Sequence, residues 1–438
     1  MIGAASIRQG RAALPMRHSS LAPGAARCAS LQSPAGANRT MTTHDSKAAL
    51  DRLMRFLAIE GVTGQEKAIG EDVARALVEV GVPADAISFD DANTRIPVPT
   101  ETGNLIVKLP GRGTLSNAEP LLFMAHLDTV PLCAGAKARI DGAKIVSGGD
   151  TALGGDNRTA CAVLVTLAAE LARQNLDHPP LVLVFCVREE SGLWGARHID
   201  MAAVGPVAMG FNFDGSRPSD LVTGAVGADS WEVEIFGRAS HAGVAPERGI
   251  SSTMIAAVAL ADIRAGGWFG KVVKGERSGT SNLGTIAGRG GRAAGDATNV
   301  VTDYAFLEGE SRSHDMGFVD EITNAYEAAF DRAVKAVTSS EGKTGTVKFT
   351  RHRKYHAFSI DRGAAVVARG TAAIASLGLT PNPKLANGGL DANWLTLHGI
   401  PTVTFGAGQN EPHTVDEWID VPAFQDACRL AIALATLR

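Results

Sequence analysis

The chain has 438 residues, of which 45% are hydrophobic and 20% are charged, so an intrinsically disordered or fibrous class is excluded. At roughly 150 residues per domain, this length predicts two or three globular domains. The chain has 42 lysine and arginine residues against 46 aspartate and glutamate residues, which gives a net charge of −4. Nucleic-acid binding depends on a positive electrostatic field, so a nucleic-acid partner is not expected.

Two further features of the composition bear on location. The longest apolar stretches fall short of the roughly 20 residues that span a bilayer, so no transmembrane helix and no membrane partner are expected. The five cysteines form no C-x-x-C pair, which favours reduced thiols over a disulfide framework. We therefore expect a cytoplasmic protein.

Residues 1–44 form a leader that differs from the rest of the chain. It contains five arginines, and no aspartate or glutamate occurs before Asp45. This bias resembles a transit peptide. A disordered leader, or a start codon assigned too early with Met41 as the true start, explains the same composition. The location of the mature protein therefore stays open to organelle targeting, and the leader is excluded from the predicted fold.

Residues 45–226 have the pattern of an α/β domain. A wholly apolar run at residues 181–187 is typical of a strand buried on both faces, in a sheet that lies between helices. The predicted elements in chain order are two helices between residues 50 and 80, strands at 104–109 and 121–125, a helix at about 159–174 and the strand at 181–187.

Residues 227–354 change to the order β-α-β-β-α-β, which is typical of a ferredoxin-like domain. Residues 355–438 then return to the α/β style. We therefore predict one α/β domain that is interrupted by an inserted ferredoxin-like domain. The predicted elements of these two segments are a strand at 231–236, a helix at 251–263, strands at 283–287 and 300–307, a helix at 318–337, a strand at 346–350, a helix at 364–377, a strand at 401–405 and a helix at 422–437.

Polar residues that can bind metal follow the first buried strands directly. His126 comes after the strand at 121–125, and it would emerge at the sheet edge where α/β proteins bind ligands. Asp128 lies two residues further, where it can accept a hydrogen bond from the other imidazole nitrogen and fix the tautomer. A purely structural His-Asp pair explains this motif equally well.

Two more acidic motifs each allow two interpretations. Asp156 stands at the start of the predicted helix at 159–174, where it could be a metal ligand or simply an N-cap. Glu189 and Glu190 end the strand at 181–187, and adjacent buried carboxylates require a cation. A metal ion would supply that charge, and so would Arg188 or Arg197.

Two later motifs complete the set of possible ligands. Asp214 follows apolar residues, and His413 lies shortly after the strand at 401–405. Histidines and carboxylates without a thiolate suit Zn²⁺, Mn²⁺ or Co²⁺, and a carboxylate can bridge two ions. The sequence therefore predicts a dinuclear metal site, whereas the single-zinc motif H-E-x-x-H and a nucleophile elbow are absent.

The ordered motifs resemble those of the M20 metallopeptidase family. The chain has Met-Ala-His-Leu-Asp at 124–128, Leu-Gly-Gly-Asp-Asn at 153–157 and Ser-His-Ala-Gly at 240–243. Within the family it is most similar to the peptidase T-like branch of aminopeptidases and tripeptidases, through Glu-Glu-Ser-Gly-Leu-Trp-Gly-Ala at 189–196 and Ala-Ser-His-Ala-Gly-Val-Ala-Pro-Glu-Arg-Gly at 239–249. The resemblance implies a zinc-exopeptidase-like α/β/α catalytic domain, interrupted by a ferredoxin-like lid and dimerisation domain.

The resemblance also implies the roles of the five possible ligands. His126 and Asp214 would bind one ion, Glu190 and His413 would bind the other, and Asp156 would bridge them. Two zinc ions are expected, with cobalt or manganese as alternatives.

Three further residues take catalytic roles from the same resemblance. Asp128 would orient His126, and Glu189 would be the general base. His241 matches a lid histidine that polarises the scissile carbonyl, often in the active site of the partner subunit. The chain is accordingly expected to form a homodimer through the inserted domain.

Substrate contacts are implied for Arg312, Asn299 and Gly389. The expected activity is removal of the N-terminal residue from short peptides by a metal-bound water. An amidohydrolase or carboxypeptidase of the same family, acting on N-acyl amino acids or dipeptides, is the first alternative. A catalytically silent metal-binding module is the second, although the retention of Glu189 argues against it.

Overall fold

The structure is a computed structural model that describes residues 43–295 and 297–438, so the predicted leader lies outside the described residues except for its last two. The helices in chain order are α1 (Ser46–Leu57), α2 (Lys67–Glu79), α3 (Ala92–Arg95), α4 (Gly155–Arg173), α5 (Trp194–Arg197), α6 (Met201–Val204), α7 (Ser252–Ala265), α8 (Met316–Ala336), α9 (Ala365–Ser376), α10 (Asp391–Leu397) and α11 (Val421–Thr436). The strands in chain order are β1 (Ile87–Phe89), β2 (Leu105–Leu109), β3 (Leu121–His126), β4 (Ala138–Asp141), β5 (Lys144–Ser147), β6 (Leu181–Cys186), β7 (Met209–Phe213), β8 (Asp220–Ala225), β9 (Gly227–Phe236), β10 (Gly270–Lys274), β11 (Arg277–Ala287), β12 (Tyr304–Ser313), β13 (Thr346–Tyr355), β14 (Phe358–Ser359), β15 (Asn382–Ala386), β16 (Thr402–Phe405), β17 (Gln409–Asn410) and β18 (Trp418–Asp420).

A mixed nine-stranded sheet carries the larger part of the fold. Its order is β1-β2-β6-β3-β7-β16-β8-β14, and β15 pairs with β8. The four central strands β6, β3, β7 and β16 run parallel to one another. Their carboxyl ends therefore meet at one edge of the sheet, where α/β proteins bind ligands.

Helices cover both faces of this sheet because its central strands are apolar on both sides. Along β3, Phe123 and Ala125 pack into a core with α1, α4 and α11. The intervening Leu122 and Met124 pack into a second core with residues of α5 and α10. This alternation follows the period of two of a β-strand, and it confirms the predicted α/β fold class with its α/β/α layers.

A second sheet has five antiparallel strands in the order β10-β11-β12-β9-β13. Along β9, Trp231, Val233 and Ile235 are buried against α7 and α8, whereas the alternate residues face away from these helices. The element order is β-α-β-β-β-α-β, so β10 is a strand more than the predicted ferredoxin-like order contains. The chain passes from the first sheet to the second after β8 and returns after β13, and the limits 227 and 354 of the inserted domain stay a prediction.

A small four-stranded sheet in the order β17-β18-β5-β4 lies near the start of α4. Its strands have two to four residues each, and they were not predicted because none of them contains a long apolar run. This sheet places the segment that contains His413 and Glu417 beside the loop before α4.

Among the described residues, no helix is both long enough and apolar enough to cross a membrane.

Candidate metal centre

Two histidines and two carboxylates from distant parts of the chain meet at the carboxyl edge of the large sheet. His126, the last residue of β3, places Nε2 3.1 Å from Oδ1 of Asp156. On the other side, Nε2 of His413 lies 3.5 Å from Oδ2 of Asp156 and 2.8 Å from Oε2 of Glu190. Ligand atoms of His126, Asp156 and Glu190 all lie within 4.8 Å of one another. We call His126, Asp156, Glu190 and His413 the metal cluster.

Asp156 lies between the two histidines and does not cap the helix. The N-cap position of α4 is held by Gly154 in the left-handed region, with φ of +79°, and no side chain caps it. The carboxylate of Asp156 instead contacts both histidines, and these contacts lower its pKa against the opposing effect of burial. The N-cap interpretation of Asp156 is therefore wrong.

Asp128 supports the site in two ways. Its backbone carbonyl lies 3.1 Å from Nδ1 of His126, and its carboxylate lies 3.4 Å from the same nitrogen. The carboxylate also accepts hydrogen bonds from the backbone N–H groups of Glu189 at 2.9 Å and Glu190 at 3.2 Å. Asp128 thus links the imidazole of His126 to the backbone that carries the two glutamates.

A second buried carboxylate holds the same turn and was not singled out from the sequence. Glu66 accepts hydrogen bonds from the backbone N–H of Gly64 at 2.6 Å and of Arg188 at 3.1 Å. Burial is the main reason that the pKa of Glu66 rises to about 7. Arg188 itself has φ of +52°, in the left-handed region, at the bend between β6 and the glutamates.

The carboxylates of the site are crowded and incompletely neutralised. Burial, and then the nearby Asp156, raise the pKa of Glu190 to about 7 and the pKa of Asp214 well above its usual value. Burial also raises the pKa of Glu189 well above its usual range. Buried Oε1 of Glu190 has no hydrogen-bond partner among the described residues. Such a donor set fits divalent cations, which would supply the missing positive charge.

The two arginines that could have neutralised the glutamates are used elsewhere. The guanidinium of Arg188 donates to Oγ1 of Thr100, to the carbonyl of Pro99 and to Oγ of Ser191. Arg197 stacks on tryptophan rings. Within the described part of the chain, neither arginine forms an ion pair with Glu189 or Glu190, so the arginine interpretation is not supported.

Two other acidic residues near the cluster gave no signal in the sequence. Glu417 accepts three backbone N–H groups, from Leu153 at 2.7 Å, Gly154 at 2.8 Å and Asp156 at 3.0 Å, and so fixes the loop that presents Asp156. Asp391, at the start of α10, is buried with no hydrogen-bond partner for either oxygen among the described residues. Burial raises the pKa of Asp391 to about 7.

The residues predicted on the inserted segment fall into two groups. His241 and Asn299 are neighbours, because the backbone N–H of Ala242 donates to the carbonyl of Asn299 at 2.8 Å. Both are exposed, and no hydrogen bond or ion pair among the described residues joins His241 to the metal cluster.

Arg312 of the inserted segment and Gly389, which lies after that segment in the chain, are both near Tyr355. A Cβ atom at Gly389 would come within 2.4 Å of the Tyr355 ring, so only glycine fits there. Arg312 donates to Oε2 of Glu310 at 2.9 Å, and its buried Nε has no partner among the described residues. The glycine at 389 is therefore explained by the packing of Tyr355, and Arg312 retains one unpartnered buried donor.

The metal-free protein should become less stable as pH rises. The pKa of Glu190 is raised from 4.5 to about 7, so between these values the folded chain holds a proton that the unfolded chain has released. Hydrogen bonds to Asp156 and Glu190 raise the pKa of His413 to about 10, so its stabilising contribution is complete below pH 6.5 and is lost as pH rises through 10. We expect the Tm of the metal-free protein to fall as pH is raised from 5 to 9. The Tm of the zinc-bound protein should fall less over the same pH range.

The matched variant for this prediction is Glu190→Gln, with the exposed Glu119→Gln as its control. The Tm of metal-free Glu190→Gln should rise relative to the unaltered protein as pH goes from 5 to 7. A Tm difference that does not change with pH would show that Glu190 carries no such proton.

The chain is similar to known proteins over most of its length. Residues 122–436 match the model of peptidase family M20/M25/M40. The chain is 28% identical to the aminopeptidase PepT of Bacillus cereus, whose structure superimposes with a TM-score of 0.76 over 90% of this chain and 98% of that chain. A tripeptidase of Staphylococcus aureus is 25% identical, with a TM-score of 0.80 over the same shares of the two chains. Uncharacterised protein YqjE of Bacillus subtilis is 26% identical over 391 residues, which are 89% of this chain and 98% of that protein.

Proposed function

The chain belongs to peptidase family M20/M25/M40 and is a metallopeptidase, and on this premise we propose that it removes the N-terminal residue of short peptides. The observation that carries the proposal is the metal cluster, in which one carboxylate lies between two histidines at the edge of the sheet. The similarity to an aminopeptidase and to a tripeptidase supports the choice of substrate.

We propose the two metal positions that the family resemblance implies. His126 and Asp214 would hold one ion, Glu190 and His413 would hold the other, and Asp156 would contribute to both. The contacts of Asp156 with both histidines support this assignment. The unpartnered Oε1 of Glu190 supports its role as a ligand. When bound, two divalent ions, which we propose are zinc rather than cobalt or manganese, lower the pKa of water and stabilise negative charge on the scissile carbonyl.

Glu189 is the proton carrier in this proposal. Its side chain is buried beside Glu190, and its backbone N–H donates to the carboxylate of Asp128 at 2.9 Å. Its carboxylate accepts a proton from the attacking water and delivers it to the leaving amine. The burial that raises the pKa of Glu189 favours holding that proton between the two steps.

His241 is proposed to polarise the scissile carbonyl. Its Nδ1 accepts hydrogen bonds from the backbone N–H groups of Gly243 at 3.1 Å and Val244 at 3.2 Å. The neutral ring therefore carries its proton on Nε2, where it can donate to a developing oxyanion. Because His241 has no contact with the metal cluster of its own chain, we place it in the active site of a partner subunit.

Substrate contacts are proposed for the remaining predicted residues. Arg312 has an unpartnered Nε–H that would serve the substrate carboxylate, and Asn299 lies beside His241. The contact proposed for Gly389 rests on the family resemblance. The described cysteines are all unpaired and buried, which supports a cytoplasmic location.

A homodimer through the inserted segment is part of the same proposal. Strand β10 lies at the edge of its sheet, and Val273, Ile286 and Met254 are exposed on this segment. Such an edge pairs readily with a second copy. Light scattering at micromolar concentration should give twice the mass of one chain, and Val273→Asp should shift the protein toward the monomer. A single-chain mass for the unaltered protein would contradict the dimer.

A panel of substrates tests the proposed function. With zinc present, we expect Leu-Gly-Gly to yield leucine and Gly-Gly, with a kcat/KM at least about 10²-fold above that for N-acetyl-leucine. Mass spectrometry of the products identifies the bond that is cleaved. Preferred hydrolysis of N-acetyl-leucine would favour an amidohydrolase, and release of the C-terminal glycine would favour a carboxypeptidase.

A further inference from the structure

A cavity of about 510 Å³ lies between the loop that follows the two glutamates and the second sheet. Ser191 and Gly192 of that loop form one wall, and Ser230 of β9 with residues 351–354 of β13 form the other. The proposed catalytic roles do not use this cavity. We call it the hinge cavity, because β9 and β13 are the strands through which the chain enters and leaves the second sheet.

The hinge cavity is lined by cations. Arg197, Arg351, Arg353 and Lys354 border it, and within the described part of the chain no carboxylate side chain does so. Four positive charges around one cavity repel one another, and they give the cavity a positive potential that attracts anions.

Two of the four cations are held in place by buried acid. Asp229, which is fully buried, pairs with Arg353 and also with Arg351 at 3.2 Å. Arg353 further contacts Oδ1 of Asp320 at 2.5 Å. These ion pairs partly neutralise the two arginines and fix the wall of the cavity.

The other two cations have no carboxylate partner among the described residues. Arg197 lies between two indole rings, with its guanidinium carbon 4.9 Å from the centroid of Trp194 and 5.1 Å from that of Trp394. This stacking fixes the plane of the guanidinium and leaves its N–H edge available for a carboxylate. Lys354 is exposed at the rim. Together they provide two uncompensated positive charges.

The cavity is within reach of a peptide bound at the metal cluster. Gly192 follows Glu190 by two residues, so their Cα atoms are at most about 7.6 Å apart. An extended tripeptide spans roughly 10 Å. One wall of the hinge cavity therefore continues directly from the loop that carries Glu190, within the length of a bound tripeptide.

We propose that the hinge cavity is an anionic specificity subsite that binds the acidic side chain of a peptide substrate. This inference rests on the proposed peptidase function. Arg197 and Lys354 bind the side-chain carboxylate, while Arg312 serves the terminal carboxylate that every short peptide has. The enzyme consequently prefers peptides with glutamate or aspartate over their amide counterparts.

Paired peptides test this preference, because glutamate and glutamine have the same shape and differ in charge. We would compare Leu-Glu-Gly with Leu-Gln-Gly and Leu-Gly-Glu with Leu-Gly-Gln. The glutamate peptide of at least one pair should have a KM at least about fivefold lower, as expected for a charge-assisted hydrogen bond. Lys354→Gln and Arg197→Gln should each reduce this ratio. Lys335→Gln, which removes the same charge from an exposed position of α8, should leave it unchanged.

A binding measurement separates this inference from the proposed function. Isothermal titration of the Glu189→Gln protein with the same peptides reports affinity without turnover. Arg197→Gln could disturb the stacked tryptophans, so the result for Lys354→Gln decides the test, since Lys354 is exposed. Circular dichroism checks that this variant is folded.

The outcomes are distinguishable. Equal Kd values for glutamate and glutamine peptides in both pairs would overturn the anionic subsite, even if every peptide is hydrolysed. A preference for glutamate that survives Lys354→Gln unreduced would overturn the assignment to this cavity. A lysine-dependent binding preference without any peptide hydrolysis would support the subsite and refute the proposed peptidase function.

Discussion

Glu189→Gln should lower the kcat for a tripeptide by about 10³-fold and leave two metal ions bound per chain. The amide has the size of the carboxylate but cannot accept the proton of the attacking water. In the proposed assignment Glu189 is a proton carrier and not a ligand, so its replacement should leave the metal ligands in place. The measurement is steady-state kinetics on Leu-Gly-Gly together with metal analysis of the same sample.

The control for this variant is Glu119→Gln, which makes the same change at an exposed position before β3, at the opposite end of that strand from His126. It should retain the activity of the unaltered protein. A Glu189→Gln protein with full activity would refute the general-base assignment. Loss of one metal ion together with activity would instead make Glu189 a ligand.

Asp156→Asn should have the other large effect, because this one carboxylate contacts both histidines of the cluster. The amide loses the negative charge that would be shared by two cations. We expect metal affinity to fall strongly and activity at two equivalents of zinc to fall by about 10³-fold, equivalent to roughly 4 kcal/mol. Zinc titration followed by calorimetry measures the affinity, and peptide hydrolysis measures the activity.

Asp150→Asn is the matched control, since Asp150 is exposed in the same connection between β5 and α4. It should bind two zinc ions with unchanged affinity. If Asp156→Asn also bound two ions with the original affinity, Asp156 would not bridge the site.

The sequence predicted those parts of the fold in which consecutive apolar residues are all buried. The apolar runs at 121–125 and 181–187 predicted strands that are buried on both faces. The structure has these strands as β3 and β6, with each strand end shifted by at most one residue. The resemblance to family M20, which rested on short motifs at the ends of such strands, is confirmed by the family match over residues 122–436. The α/β class follows from the same strands.

Short and polar elements could not be predicted in this way. Strand β10 contains Lys271 and Lys274 and is mostly exposed, so its pattern does not differ from that of a loop. The small sheet of β4, β5, β17 and β18 forms only because distant segments pair. Its existence depends on tertiary contacts that no local window contains.

The supporting acids of the site were missed for a related reason. Glu417 and Glu66 matter because they accept backbone N–H groups far away in the chain, and neither lies in a strand-end motif. Asp391 lies two residues after Gly389, for which a substrate contact was predicted, but nothing in that segment indicated that its side chain is buried. Whether Asp156 caps α4 likewise depends on tertiary contacts that the local sequence does not show.

The most direct measurement is a zinc titration of the metal-free protein in which leucine release from Leu-Gly-Gly is followed at each step. A dinuclear aminopeptidase should stay below about a tenth of full activity until the second ion binds, and should reach its maximum at two equivalents. Full activity with one equivalent, or no leucine release at two equivalents, would contradict the dinuclear peptidase assignment.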